Sequence, residues 1–238
     1  MLEVNGLVKL YGKQKAVDEI NFSLEGGEVV GLLGPNGAGK STTMKCIVGL
    51  LRKTKGEISI GGQDHLSTAA KKLFSYIPET PSVYDLLTVE EHLQFIAQAY
   101  SVKEWKPRAE ELMLTYDLLD KRKKLGRDLS KGMRQKVSIC CALLSDPQVL
   151  FFDEPMIGLD PKAIRNTKRI FRELKDKGKT ILVSTHLIES VEIIADRIMI
   201  MKDGKIIGND SLGNLKAAFK TGDQITLEDL FLELTKDE

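Results

Sequence analysis

Apolar residues recur along this chain in two rhythms. Short runs of five or so, bounded by glycine, proline or charge, occupy residues 29–33, 73–77, 149–152, 180–184 and 197–201. Runs of that length without polar alternation predict strands buried on both faces. Residues 2–10 and 16–24 alternate irregularly, with Val17, Ile20, Phe22 and Leu24 apolar, and predict two partly buried strands joined through Tyr11 to Lys15. Residues 55–62 read as a further strand and turn. The second rhythm is helical. Met44, Ile47, Val48 and Leu51 share one face of a helix after residue 42; Leu112, Met113, Tyr116 and Leu119 predict one over about 105–119. Thr88-Val-Glu-Glu91 is a helix start of the capping-box form, with Leu93, Phe95, Ile96 and Ala97 behind it. Helices are also expected at about 162–176 and 187–194, and one or two short ones in the tail from 210. Strands alternating with helices through short connections predict a mainly parallel sheet covered on both faces, an α/β fold. Residues 80 to about 126 read as a helical insertion into it, and no internal repeat interrupts the plan.

Between the strand at 29–33 and the helix after 42 stand Gly34, Pro35, Asn36, Gly37, Ala38, Gly39, Lys40, Ser41 and Thr42. The pattern G-x-x-x-x-G-K-[ST] in a strand-to-helix turn is a phosphate-binding loop. Glycines let the backbone wrap closely around a phosphate chain, and the helix start adds partial positive charge. Lys40 is expected on the β- and γ-phosphates and the Ser41 hydroxyl on Mg²⁺. The loop by itself says nucleoside triphosphate, without saying which.

Composition narrows this. With 35 basic and 34 acidic residues in 238, the net charge is +1, so no global field favours nucleic acid or anionic lipid. An apolar content of 42% supports a buried core. Cys46, Cys140 and Cys141 lack metal-ligand spacing and read as reduced core thiols. No apolar run approaches the roughly 20 residues of a membrane span, and the start lacks a signal-peptide plan, so a cytosolic chain is expected.

Further chemistry sits at other strand ends. Asp153 and Glu154 close an apolar run and would point into the crevice where α/β proteins bind ligands. Asp153 suits Mg²⁺ through water. Glu154 suits a general base for the attacking water, since an ordinary glutamate is ionised at neutral pH. His186 follows the strand at 180–184 and could donate to a γ-phosphate, or simply support the turn. Leu129-Ser-Lys-Gly-Met-Arg-Gln135 opens a helix with Ser130 as a good N-cap. It is either an ordinary capped helix or a second anion site, useful if it serves the nucleotide of another copy.

In this order, residues 34–42, 129–135 and 149–154, Leu159 with Asp160, and His186 resemble the Walker A, signature, Walker B, D-loop and H-loop elements of ATP-binding cassette proteins. The resemblance spans essentially the whole chain. It implies a P-loop NTPase core in a single domain over 1–238, with an N-terminal antiparallel β-subdomain. The helical subdomain would cover about 80–145 and a short helical tail about 210–238. It implies an ATPase using ATP and Mg²⁺ that closes as a head-to-tail homodimer or pseudo-symmetric dimer. Each nucleotide would then lie between the Lys40 loop of one copy and Ser130, Lys131, Gly132 and Gln135 of the other, with Asp160 in dimer coupling. Tyr11 matches the aromatic residue that stacks on adenine, or else packs in its turn. Two departures stand out: the signature has Lys131 and Met133 where glycine and glutamine are usual, and Glu79 replaces the Q-loop glutamine, a change that still offers oxygen to Mg²⁺.

The stretch around Tyr76-Ile-Pro-Glu79, with the signature, is similar to ATP-binding subunits of Ecs-type and related bacterial export transporters. That implies a subunit peripheral on the cytoplasmic face of the membrane, working with a separate permease and no nucleic acid. Val83, Tyr84, Leu86, Leu87 and Phe95 then include candidates for a permease-binding groove. The alternative is a soluble cassette ATPase of translation or DNA repair. Repair members carry a long coiled coil between phosphate loop and signature, and no sustained heptads lie there; translation members usually carry two cassettes. An unrelated P-loop kinase or GTPase would leave the signature and His186 unexplained.

Overall fold

The computed structural model describes residues 1–186, 188–218 and 226–236. The chain opens with a bulged antiparallel hairpin, β1 (Leu2–Tyr11) and β2 (Gln14–Leu24). Leu2 stands opposite Leu24 and Val4 opposite Phe22; the register then slips between Val4 and Leu7. A slip changes which side chains face the core, which is why the alternation here looks irregular in sequence. β3 (Val29–Leu33) and α1 (Lys40–Ile47) flank the glycine-rich loop. β4 (Lys55–Ile60) returns to β1, and the two-residue β5 (Gln63–Asp64) edges it. A single turn, α2 (Thr68–Lys71), leads to β6 (Phe74–Ile77). Then come α3 (Val89–Ala99), α4 (Trp105–Thr115) and α5 (Lys131–Leu144), which pack on one another before β7 (Val149–Asp153). α6 (Pro161–Asp176), β8 (Thr180–Ser184), α7 (Ile188–Ile194), β9 (Arg197–Lys202), β10 (Lys205–Asp210), α8 (Leu212–Ala218) and α9 (Leu227–Thr235) complete the chain.

Two sheets result: a four-stranded antiparallel one, ordered β2-β1-β4-β5, and a six-stranded one, ordered β10-β9-β3-β8-β7-β6. In the larger sheet β9, β3, β8, β7 and β6 run parallel, and β10 pairs antiparallel with β9. Its three central strands, β3, β8 and β7, are buried along their whole length. The pleat sorts their side chains by period two. Val30, Leu32, Val149, Phe151 and Leu182 join the core shared with α1 and the small sheet. Val29, Leu150, Phe152, Ile181 and Val183 join the core beneath α3 to α6. A third cluster holds Leu33, Ile198 and Ile200 against α7 and α9 through Val191, Leu227 and Leu230. Each such aliphatic or aromatic side chain contributes about 1.5–3 kcal/mol by leaving water. Because β3, β8, β7 and β6 are parallel, their C-terminal ends share one edge. The loops carrying Lys40, His186, Glu154 and Glu79 all leave the sheet there.

The expected capping box is present: Thr88 Oγ1 accepts from the Glu91 amide at 3.2 Å, and Glu91 Oε2 accepts from the Thr88 amide at 2.7 Å. One helix is shorter than expected. α4 stops at Thr115, and Leu119 lies in a 3-10 turn, 36% exposed, while Met113 and Tyr116 are buried. Asp117 takes φ 56, its amide bonds back to Leu114 O at 3.2 Å, and the Leu118 amide bonds to Met113 O at 2.7 Å. That is a Schellman stop with aspartate in the left-handed position that glycine usually marks. Residues 63–72 hold β5 and α2 and residues 205–210 hold β10, none of which was expected. The signal for β10 was present: Asp203 and Gly204, at φ 49 and 77, form a two-residue hairpin turn. The expected tail helices appear as α8 and α9; residues 219–225 and 237–238 of that tail, and residue 187, with which the expected helix 187–194 begins, lie outside the described residues. Cys46, Cys140 and Cys141 are free thiols, buried or half-buried. Among the described residues no helix is long and apolar enough to cross a membrane.

Candidate active site

The glycine-rich loop owes its shape to backbone that few residues tolerate. Gly39 sits at φ 103 as the N-cap of α1, and a Cβ there would run into the Ala16 carbonyl. The first turn of α1 has no side-chain cap, which leaves its leading amides as donors for an anion. Lys40, the first helical residue, folds back: Nζ donates to Gly34 O at 2.7 Å and to Pro35 O at 3.1 Å. Burial lowers its pKa, opposed by the negative charges of Glu154, Asp153 and Glu79, in that order. The ammonium, held by two loop carbonyls, is the cation the loop offers an anion, and the three carboxylates oppose that anion unless a further cation offsets them.

Asp153 is the hub of the opposite wall. Its Oδ1 accepts from Ser41 Oγ at 2.9 Å and from Ser184 Oγ at 2.6 Å, and its Oδ2 accepts from the Tyr76 hydroxyl at 3.1 Å. Three donors on a carboxylate that is 1% exposed compensate its desolvation. Burial, followed by the charge and hydrogen bond of Asp153, raises the Tyr76 phenol far above its ordinary value, so it donates. Glu154, one residue on, has φ 50, a left-handed conformation costing about 1–2 kcal/mol in a residue with a Cβ. Its amide donates to Ser184 O at 3.0 Å, which holds that conformation. The carboxylate faces His186, whose Nδ1 lies 3.1 Å from Oε1 and whose amide donates to Oε2 at 3.4 Å. A cavity of about 390 Å³ opens between these walls, lined by loop residues 36–42 with Ala16, Glu79, Glu154, Ile157 and His186.

The signature segment lies elsewhere. Ser130 caps α5, its Oγ accepting from the Met133 amide at 3.3 Å, and Ser130 and Lys131 lie outside the cavity just described, with Lys131 exposed. Gly132 is pressed on the loop after β7: a Cβ would stand 2.5 Å from Gly158 O. Lys136, 9% exposed, pairs with Asp160 at 2.6 Å, and Asp160 caps α6 through the Ala163 amide at 2.9 Å. Those two partners, Lys136 first, hold the Asp160 carboxyl below the usual range. Gln135, expected among the residues that meet a second copy's nucleotide, is 1% exposed within its own chain, and its Nε2 donates to Pro155 O at 3.3 Å. A buried amide here braces α5 on the β7–α6 loop. Tyr11 ends β1, half-exposed, with Lys9 Nζ 4.9 Å from its ring centre; it does not line the cavity, although Ala16 of the same hairpin does.

The fold thus brings together Lys40, Ser41, Asp153, Glu154, His186 and Glu79. Tyr76 and Ser184 join the arrangement, and Lys136 joins Asp160 beside the signature segment, although the sequence pattern did not single them out. Ser184 was visible as a polar residue ending an apolar strand, and Lys136 as a cation in a helix start. Tyr76 gave no sign beyond its strand. The donors near Asp153 are hard oxygens, and among the described residues no group of three or more His, Cys, Asp or Glu could hold a metal unaided. Ser41 and Asp153 therefore suit a cation that takes its remaining oxygens from phosphate and water, the habit of Mg²⁺.

Residues 17–157 match the family model described as ABC transporter. The chain is 37% identical to the ABC-type transporter ATP-binding protein EcsA of Bacillus subtilis over 242 aligned positions, covering all of this chain and 98% of that protein. It is 36% identical to the SkfA peptide export ATP-binding protein SkfE of the same organism, covering 87% of each. A solved structure of an ATP-binding subunit of an ABC transporter superposes with a TM-score of 0.95 at 38% identity, covering 99% of this chain and all of that one.

Proposed function

This chain belongs to the ABC transporter family, as one of its ATP-binding subunits, and from that premise we propose that it hydrolyses ATP to drive a bacterial exporter through a separate permease. One observation carries the catalytic part: a phosphate loop, an Asp–Glu pair and a histidine converge on one cavity at one sheet edge. Lys40 and the α1 amides hold the triphosphate. Ser41 and Asp153 are the residues that would hold Mg²⁺, which when bound neutralises charge on phosphate oxygens. Glu154 orients and polarises the attacking water. His186 restrains Glu154 through Nδ1 and offers its other ring nitrogen toward the γ-phosphate. Glu79, on the exposed wall, adds acceptor oxygens only and tunes Mg²⁺ use. Tyr11 keeps its reading as the adenine platform, supported by its exposed ring on the hairpin whose Ala16 lines the cavity.

The place of Ser130 and Lys131 outside their own chain's cavity supports a head-to-tail dimer, in which they meet the nucleotide of a second copy. Lys131 brings a positive charge where the family usually has glycine. The Lys136–Asp160 pair couples the signature helix to the start of α6, so the two elements move together on closing.

A subunit of a transporter without a spanning helix among its described residues needs a membrane partner. The seat proposed for it is a groove of about 470 Å³ between the helices and the sheet, walled by Leu50, Tyr76, Pro78, Ile96, Tyr100 and Cys141. Beside it Tyr84, Leu86 and Phe95 are 58%, 73% and 45% exposed, whereas Val83 packs inside. Tyr84 is braced by an edge-on contact with Phe95 and by its amide bond to His92 at 2.8 Å. A short cytoplasmic helix of the permease, laying an apolar face there, fits this surface. Export rather than import is the direction supported by the peptide-export relative.

Light scattering tests the engine. Glu154→Gln with ATP and Mg²⁺ should accumulate as a dimer, because hydrolysis normally dissolves it. A variant that stays monomeric at high concentration, or turns over at the parent rate, would refute the assignment.

A further inference from the structure

We propose that Tyr76 is a positioning residue coupling the groove to the carboxylate of Asp153. The inference rests on the reading of Asp153 as the Mg²⁺ carboxylate and of the groove as the permease's seat. Tyr76 has two environments. Its hydroxyl donates to Asp153 Oδ2 at 3.1 Å and its side chain packs on the core of the α1 face, while the residue also lines the groove with Leu50, Pro78, Ile96 and Tyr100. Strand register makes this possible. Tyr76 pairs with Phe151, so Asp153, two residues further along β7, points to the same face of the sheet. A phenol spans that offset.

The distribution of donors on Asp153 gives the hydroxyl its importance. Ser41 and Ser184 both donate to Oδ1, and Tyr76 donates to Oδ2. When Ser41 turns its oxygen away from Asp153, Ser184 and Tyr76 remain as one donor on each carboxylate oxygen. They then fix the plane of the carboxylate between them. Without the phenol, that plane is held from one side. The ring is rigid, so a displacement at the groove wall is a displacement of the hydroxyl at the carboxylate. Among the described residues, no second residue lining the groove bonds to Asp153.

The test uses the full chain and binding of trinitrophenyl-ATP, read by fluorescence across a Mg²⁺ series, with EDTA as the metal-free control. Tyr76→Phe keeps the ring and removes the donor. It should raise the Mg²⁺ needed for half-maximal enhancement of binding about three- to tenfold, the loss of one hydrogen bond to a carboxylate. Melting without nucleotide should fall modestly, because Asp153 Oδ2 loses its donor, but binding in EDTA should stay near the parent value, as a merely structural role would not allow. Ile96→Trp narrows the groove and should shift the Mg²⁺ dependence about twofold or more in the parent, but not in Tyr76→Phe. Unchanged Mg²⁺ dependence in Tyr76→Phe would overturn the proposal. So would equal losses in Mg²⁺ and EDTA, no shift from Ile96→Trp, or the same shift in both backgrounds. Failure of the parent itself to bind the analogue would overturn the nucleotide-site reading instead, and is seen before any variant is compared.

Discussion

Two glutamates face the cavity, and exchanging each for glutamine separates their roles. Glu154 is 7% exposed, fixed at φ 50 by the bond from its amide to Ser184 O, and oriented by His186. Glu79 is exposed on the far wall and ranks last of the three carboxylates whose charge acts on Lys40. In Glu154→Gln the side-chain oxygen can still accept from His186, so one contact of two survives and folding stability falls by about 1 kcal/mol. The kinetic loss is larger. A positioned base supplies roughly 10²–10⁴-fold, or about 2.7–5.5 kcal/mol of barrier. Solvent screens the charge at residue 79, so Glu79→Gln should keep turnover within about tenfold, roughly 1.4 kcal/mol, while changing its Mg²⁺ dependence. Steady-state phosphate release across a Mg²⁺ series measures both, with melting curves to verify folding. If Glu79→Gln abolishes turnover while Glu154→Gln retains it, the two carboxylates have been assigned in reverse.

Two further outcomes are expected. Gly132→Ala puts a Cβ 2.5 Å from the Gly158 carbonyl, so the α5 start and the β7–α6 loop must separate; urea unfolding should show a loss of about 1–3 kcal/mol, and no loss would mean the loop gives way freely. Aspartate at both Tyr84 and Leu86 should release the subunit from membranes of producing cells in a pelleting assay, since it places charge on an apolar docking surface; pelleting and transport at parent levels would move the permease's seat elsewhere.

Chemistry that closes over a short stretch of chain is legible in the sequence itself. The glycine-rich loop announces itself because glycine, lysine and serine at fixed spacing do their work within nine consecutive residues. The Thr88 and Ser130 caps are bonds between neighbours in sequence, and both formed. The strands β3, β7 and β8 were visible as apolar runs because a strand buried on both faces has no polar side to show. The end of α4 was missed because aspartate, at Asp117, filled the place where glycine would have signalled a stop. What joins distant residues was decided only in three dimensions. Parallel pairing of β6, β7 and β8 sets Tyr76, Asp153 and Ser184 side by side, although no spacing along the chain links them. The burial of Gln135 against Pro155 depends likewise on how α5 lies across the β7–α6 loop. Spacing along the chain carries bonds that close within a turn; strand order and helix packing carry the rest, because they bring together residues that the chain itself keeps far apart.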